Sequence, residues 1–298
     1  MTTQTAVPIA TQLRRASLSR RRRLTDRVAT GAIWLSLAVA IVPLGLVTYY
    51  VISKGIEVMS WDFLNERIPR QPQTEGGGIY PAIIGTLIIT GLAALISIPL
   101  GVLGAIYLNE YGKKSALART IRTMSDVMTG VPSVMMGLFI YIGFVLVVKE
   151  QSALAGALAL ACLMLPVVIR SSEGMLRLVP DELRHASLAL GARRWRMTLT
   201  VVLPAAISGI TSGALLAIAR AAGETAPIVL VVGLTYRVNW SLSGGNTALP
   251  AQIYSNASQP FDAAVNRAWG AALTLVTIVL IMTLVGRFIA ARFAIKER

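Results

Sequence analysis

Residues 32–52 read AIWLSLAVAIVPLGLVTYYVI, an uninterrupted stretch without a charge, bracketed by Arg27 and Lys54. An α-helix rises about 1.5 Å per residue and the hydrocarbon of a bilayer is about 30 Å thick, so about twenty apolar residues cross it. The same kind of gap recurs along the chain. Pro81–Leu108 is the apolar part of the gap between Glu75 and Glu110. Asp126 and Lys149 bracket the third gap, and Glu150 and Arg170 bracket the fourth, SALAGALALACLMLPVVI. The fifth runs from Arg196 to Arg220, and the sixth from Arg267 to Arg287. Composition agrees: 14% of the 298 residues are charged and 55% are apolar, against roughly 25% charged in soluble domains. The pattern predicts an all-α polytopic membrane protein with six transmembrane helices over residues 28–298, and it excludes a soluble globular enzyme.

Lys and Arg fall unevenly around these spans. Of 28 basic residues, 21 lie in residues 1–27, around Lys113–Arg122, in the segment Arg170–Arg196 and from Arg287 onward. Six lie in the alternate loops, and Arg220 is left inside a span. Basic residues accumulate on the cytoplasmic side, so both termini are expected there. The net charge of +14 then reports topology and contact with anionic lipid headgroups, not a nucleic-acid surface.

Several chemistries are excluded. A lone Cys162 forms no internal disulfide, and one His185 builds no His-rich metal site. No metal is expected. Residues 1–27 read as a basic, Arg-rich cytoplasmic tail without fixed structure, its Arg20–Arg23 run on the lipid surface. The first apolar run exceeds the 7–15 residues of a signal peptide and no small-residue cleavage site follows it, so it is expected to remain as a span. Residues 54–80 are expected to hold a short interfacial helix, and 234–266 an irregular loop with short helical pieces.

The cytoplasmic segment 171–199 contains PDELRHASLALGARRWRM (180–197). Pro180 with Asp181 and Glu182 starts a helix, with acids at its positive dipole end. Leu183, Ala186, Ser187 and Leu190 share one face at helical spacing, and Gly191 ends it. Such a short helix has no core of its own and needs a lipid surface or a protein partner. The segment resembles the coupling motif of ABC importer permeases: Glu-Ala-Ala, three residues, Gly, nine residues, Ile-x-Leu-Pro. His185, Ala186, Ser187, Gly191, Val201, Leu203 and Pro204 stand at those positions with the spacing intact, and His185 departs from the usual Glu. The resemblance implies the type I ABC importer fold and a helix that docks on a separate ATPase subunit. The chain has no ATP site of its own. Gly112-Lys113 lacks the earlier Gly of a phosphate loop and the Ser or Thr directly after the Lys. No cofactor is expected on this chain; ATP is used by the partner.

Residues 215–230 read LLAIARAAGETAPIVL. Arg220 and Glu224 are four apart and share a helix face. A charge at mid-membrane costs about 2.5–3.5 kcal/mol on insertion scales, so it pairs or lines a wet path. Arg220 stands roughly 30 Å along the span from Thr200, near its outer end. Gly223 and Pro227 are expected to interrupt the helix there, with Thr225 beside the break. Two readings fit the pair: an anion gate built on the forked guanidinium, or a structural ion pair. The stretch ARAAGETAP (219–227 within it) resembles the A-type permeases of high-affinity phosphate importers. The shorter Arg-Ala-x-Gly-Glu core is shared with molybdate and sulfate permeases, which stay open as the alternative. Gly130-Val131-Pro132-Ser133 is also similar to this family's pattern. The resemblance implies a substrate pathway at Arg220, Glu224, Thr225 and Ser133. It also implies a homologous second permease, two ATPase copies and an extracytoplasmic phosphate-binding protein as partners, with no bond chemistry on this chain.

Overall fold

The computed structural model describes residues 20–112 and 115–293, and these are helical with no strand among them. The first helix, α1 (Arg20–Val58), carries an apolar stretch from Leu24 to Val58 long enough to cross a membrane. Its start at Arg20 places the Arg20–Arg23 run, expected in the unstructured tail, within a helix. The rest of that tail, residues 1–19, lies outside the described residues, as do Lys113, Lys114 and the last five positions.

From Ser53 onward the chain forms one compact unit. The short α2 (Trp61–Asn65) is the interfacial helix expected in the first long loop; Ser60 caps it by accepting from the Phe63 N–H at 3.0 Å. α3 (Tyr80–Ile106) ends in a wider π turn, Tyr107–Tyr111. α4 (Ala116–Gly130) and α5 (Ser133–Ile140) follow, the latter extended to Val148 through a π turn at Tyr141–Val145. α6 (Ala153–Leu178) is the most buried span. Then come α7 (Asp181–Ala189), α8 (Arg194–Met197) and α9 (Leu203–Ala222), with a π turn at Thr198–Val202 joining the last two. α10 (Ala226–Val231), α11 (Leu249–Ala257) and α12 (Asp262–Phe293) complete the order.

Among the described residues, five helical stretches are each long and apolar enough to cross a membrane. The third expected span differs from the others. It is a pair of helices, Ala116–Gly130 and Ser133–Val148, bent by 107°. Pro132 crowds the residue before it out of the helical region, and Val131 is accordingly extended at φ −75°, ψ 131°. The third uncharged gap is therefore a bent pair, with Ser133 opening its second arm.

The core lies around α6. Its Ala153, Ala155, Ala157, Ala159, Leu160 and Met164 lie on more than one side of the helix and are buried in a cluster with residues of α3, α5 and α10. Lipid tails are as apolar as Leu, so close packing of small residues, rather than exclusion of water, holds membrane helices together. Gly101 of α3 shows the closeness: a Cβ there would sit 2.6 Å from Val168 Cγ1 of α6. Away from this core, large apolar side chains such as Leu95, Leu103, Leu216 and Phe288 are exposed, as a lipid-facing surface requires.

Candidate functional site

α9 carries a candidate site at each end. The twenty residues of α9 span about 30 Å, the thickness of a membrane core.

The C-terminal end is broken. The amides of Gly223 and Glu224 donate to the carbonyls of Arg220 and Ala221 at 3.1 Å, a tightened last turn. Pro227 then opens α10, where its missing N–H costs nothing. The helix thus stops at Ala222 beside Gly223, and Pro227 begins a new helix instead of kinking an old one. Gly137 of α5 lets α10 approach: a Cβ on it would meet Pro227 Cα at 2.6 Å. Arg220 Nε stands 3.5 Å from Glu224 Oε1. The two side chains differ in setting, Arg220 being 65% exposed and Glu224 17%. Glu224 turns inward to a narrow crevice with Thr86 and Thr90 of α3 and Ala248. Among the described residues no protein hydrogen bond engages Arg220's terminal nitrogens, so the carboxylate holds one side of the guanidinium while its forked face stays open. Thr225 precedes α10 without a capping side-chain bond, and its hydroxyl is 3.5 Å from the Gly223 carbonyl. Ser133 lies one turn before Gly137, and among the described residues no hydrogen bond joins it to Arg220 or Glu224.

The N-terminal end meets α7. Gly191 has φ +83°, a conformation that costs L-residues but not glycine. The turn is closed by Gly191 N–H to Leu188 O at 2.9 Å and Ala192 N–H to Ser187 O at 3.2 Å. The helix therefore ends where the sequence reading placed its end. His185 and Ala186 are exposed and Ser187 is half-buried. Leu183 and Leu188 are partly exposed, and Leu190 just past the helix end is 89% exposed, so Leu183 and Leu190 leave an apolar stripe open on a short helix. Leu203 packs on the cluster of Ala105, Leu176 and Val202. Pro204, lacking a donor, frees a carbonyl one turn back, and the π turn Thr198–Val202 lies there.

A second charged cluster was not anticipated. Glu173 of α6 is buried, and accepts from Arg122 Nε at 2.7 Å, Arg177 at 2.7 Å and Arg170 at 3.4 Å. Arg122 also donates to the Leu108 carbonyl at 2.8 Å, and Arg170 pairs with Asp126. These bonds tie α4 and the end of α3 to α6. The sequence carried one sign of it, since Arg170, Glu173 and Arg177 repeat at helical spacing. As basic residues beside a span, Arg170 and Arg177 read first as topology markers. Neutralising Glu173 leaves three guanidiniums around an uncharged acceptor. Glu173→Gln is expected to lower stability by about 2 kcal/mol, measured as earlier thermal aggregation of the detergent-solubilised chain.

Apolar helices bent and broken in this way, with an open loop helix at one end and a charged break at the other, make a polytopic membrane domain of the kind the sequence resemblance implied. Solved structures share the fold. The chain aligns with the MetNI methionine ABC transporter in an inward-facing conformation at TM-score 0.57 and 21% identity, over 72% of this chain and 94% of that one. It aligns with a bacterial alginate ABC transporter in complex with its periplasmic protein at TM-score 0.61 and 14% identity, over 92% and 97%. Residues 97–295 match the family of binding-protein-dependent transport system inner membrane components, and the chain belongs to that family. It is 42% identical over 288 residues to the phosphate transport system permease protein PstA 1 of Mycobacterium tuberculosis, covering 92% of each chain. It is 39% identical to the PstA of Yersinia pestis, over 92% of this chain and 94% of that one. With the PstA of Haemophilus influenzae identity is 36%, over 89% and 94%. The chain is a multi-pass inner membrane protein by family and by its apolar helices.

Proposed function

We propose that this chain is the permease subunit of an ATP-driven importer of inorganic phosphate and forms half of its pathway. The observation that carries this reading is Arg220: an exposed guanidinium beside a helix break, held on one side by Glu224 and open on the other. A forked guanidinium matches an oxyanion bidentately. The relatives named as phosphate permeases support phosphate over molybdate or sulfate.

The driving force comes from ATP hydrolysed on two copies of a separate ATPase. These dock on the open face of α7, with the exposed Leu183 and Leu190 entering their surface. A homologous second permease completes the pathway, and an extracytoplasmic phosphate-binding protein delivers the ion. ATP binding closes the ATPases and moves α7, which opens the pathway outward; hydrolysis resets it. Both termini and α7 face the cytoplasm, in keeping with the basic residues gathered there. The chain catalyses no bond change and binds no cofactor.

Uptake of radioactive phosphate by cells deleted for the chain tests the substrate. Restored uptake on adding back the gene, unaffected by a hundred-fold or so excess of molybdate or sulfate, is expected for a guanidinium site built for one anion. Equal competition by molybdate would assign the other oxyanion.

A further inference from the structure

α7 is attached to its own chain in an unusual way. It is nine residues long, and the one buried side chain on it is not apolar but Arg184. Leu183, Leu188 and Leu190, which a surface helix ordinarily buries, are exposed. With Leu183 and Leu188 only partly covered, at 45% and 39% exposure, the helix depends on what its buried polar side chain grips.

Arg184 grips two other helices. Its NH1 and NH2 donate to the carbonyls of Val179 at 2.6 Å and Leu176 at 2.8 Å, two acceptors that the C-terminus of α6 leaves without helical partners. Its Nε and NH2 donate to Glu110 Oε1 at 3.2 and 3.0 Å, and NH1 reaches Asp181 Oδ1 at 3.0 Å. Glu110 sits in the π turn that ends α3, 5% exposed, and its Oε1 also accepts from Asn109 Nδ2 at 2.7 Å.

These two arms are not equivalent. α6 is joined to α7 by the backbone itself, through the extended Val179 and Pro180. α3 has no such connection. Among the described residues, the hydrogen bonds from α7 to the end of α3 all run from Arg184 to Glu110. A push on α7 reaches α6 by covalent structure, and α6 packs on α3, but the direct polar link from α7 to α3 is this one buried ion pair. The pair is desolvated on both sides, so breaking it strands a buried charge and it resists separation when the loop moves.

We propose that Arg184 and Glu110 are positioning residues that form the joint carrying motion of α7 to α3. This rests on the reading of α7 as the ATPase-docking helix. Neither residue touches substrate or nucleotide; they act by keeping α3, α6 and α7 in step.

The test uses the complete importer, with its second permease and ATPase, reconstituted in vesicles. Phosphate moved and ATP hydrolysed are measured together for wild type, Glu110→Gln, Glu110→Asp and Arg184→Gln. Glu110→Gln leaves both α6 carbonyl bonds of Arg184 in place and removes only the charged arm to α3. Both neutral variants are expected to assemble and to hydrolyse ATP, but to move about tenfold less phosphate per ATP. Glu110→Asp, which keeps the charge, is expected to recover most of the ratio. A wild-type ratio in Glu110→Gln overturns the joint. Failure of both neutral variants to assemble also overturns it, because the pair then serves folding alone. A wild-type chain that captures no ATPase removes the docking reading, and the joint with it.

Discussion

Arg220→Ala is expected to reduce phosphate uptake about a hundredfold, with the importer still assembled. A charge-assisted contact to a partly desolvated anion contributes about 3 kcal/mol, which is a hundredfold in an equilibrium or rate. Nothing in the packing opposes the change. Arg220 is 65% exposed and its one ion pair among the described residues is Glu224 at 3.5 Å, so truncation opens no cavity in the core. The helix break does not depend on it either, because Gly223 and Pro227 set the break. Arg220→Lys keeps the charge but loses the fork, and is expected to fall between the two. Uptake by cells, alongside the amount of chain and ATPase recovered together, separates transport from assembly. Normal uptake by Arg220→Ala would leave the pair as a structural contact.

Gly191→Pro is expected to abolish coupling at the other end of α9. Two physical penalties coincide there. Gly191 holds φ +83°, whereas proline is fixed near −65°. Its N–H also donates to Leu188 O at 2.9 Å, a bond that proline cannot make. The turn must rearrange, and with it the angle between α7 and α8. Space is not the issue, since a Cβ on Gly191 would meet no atom within 4 Å. Gly191→Ala therefore isolates the backbone cost of about 1 kcal/mol for a left-handed residue, and is expected to weaken coupling severalfold without loss of the chain. For Gly191→Pro the expected result is uptake at background and either no bound ATPase or hydrolysis without transport. Unchanged ATPase binding together with unchanged uptake would remove the coupling role of this loop.

The parts of this molecule that were legible in sequence are those encoded locally. A run such as residues 32–52 cannot hide its meaning, because absence of charge over one membrane thickness is a one-dimensional signal. Gly191 and Pro227 were legible for the same reason, since each acts on its own backbone. The close spacing of Arg220 and Glu224 made that pair visible as well. What stayed hidden was encoded between segments. Arg184 and Glu110 are 74 positions apart and Arg122 and Glu173 are 51 apart, and no periodicity connects them. Those charges flank spans, where their first meaning is topology, so their pairing was masked by a true but different role. The bend at Val131–Pro132 is an intermediate case. Proline stood in plain view within GVPS, but the uncharged length from Asp126 to Lys149 outweighed it, because a length count does not register backbone direction.

The claim that holds the account together is that ATP consumed by a partner moves phosphate past Arg220 through motion of α7. The most direct measurement is phosphate accumulation in vesicles that contain the complete importer, with binding protein outside and ATP inside. The expected result is accumulation that needs both ATP and the binding protein, and that disappears with Arg220→Ala while hydrolysis continues. Phosphate entering at the same rate without ATP, or with Arg220→Ala in place, would contradict it.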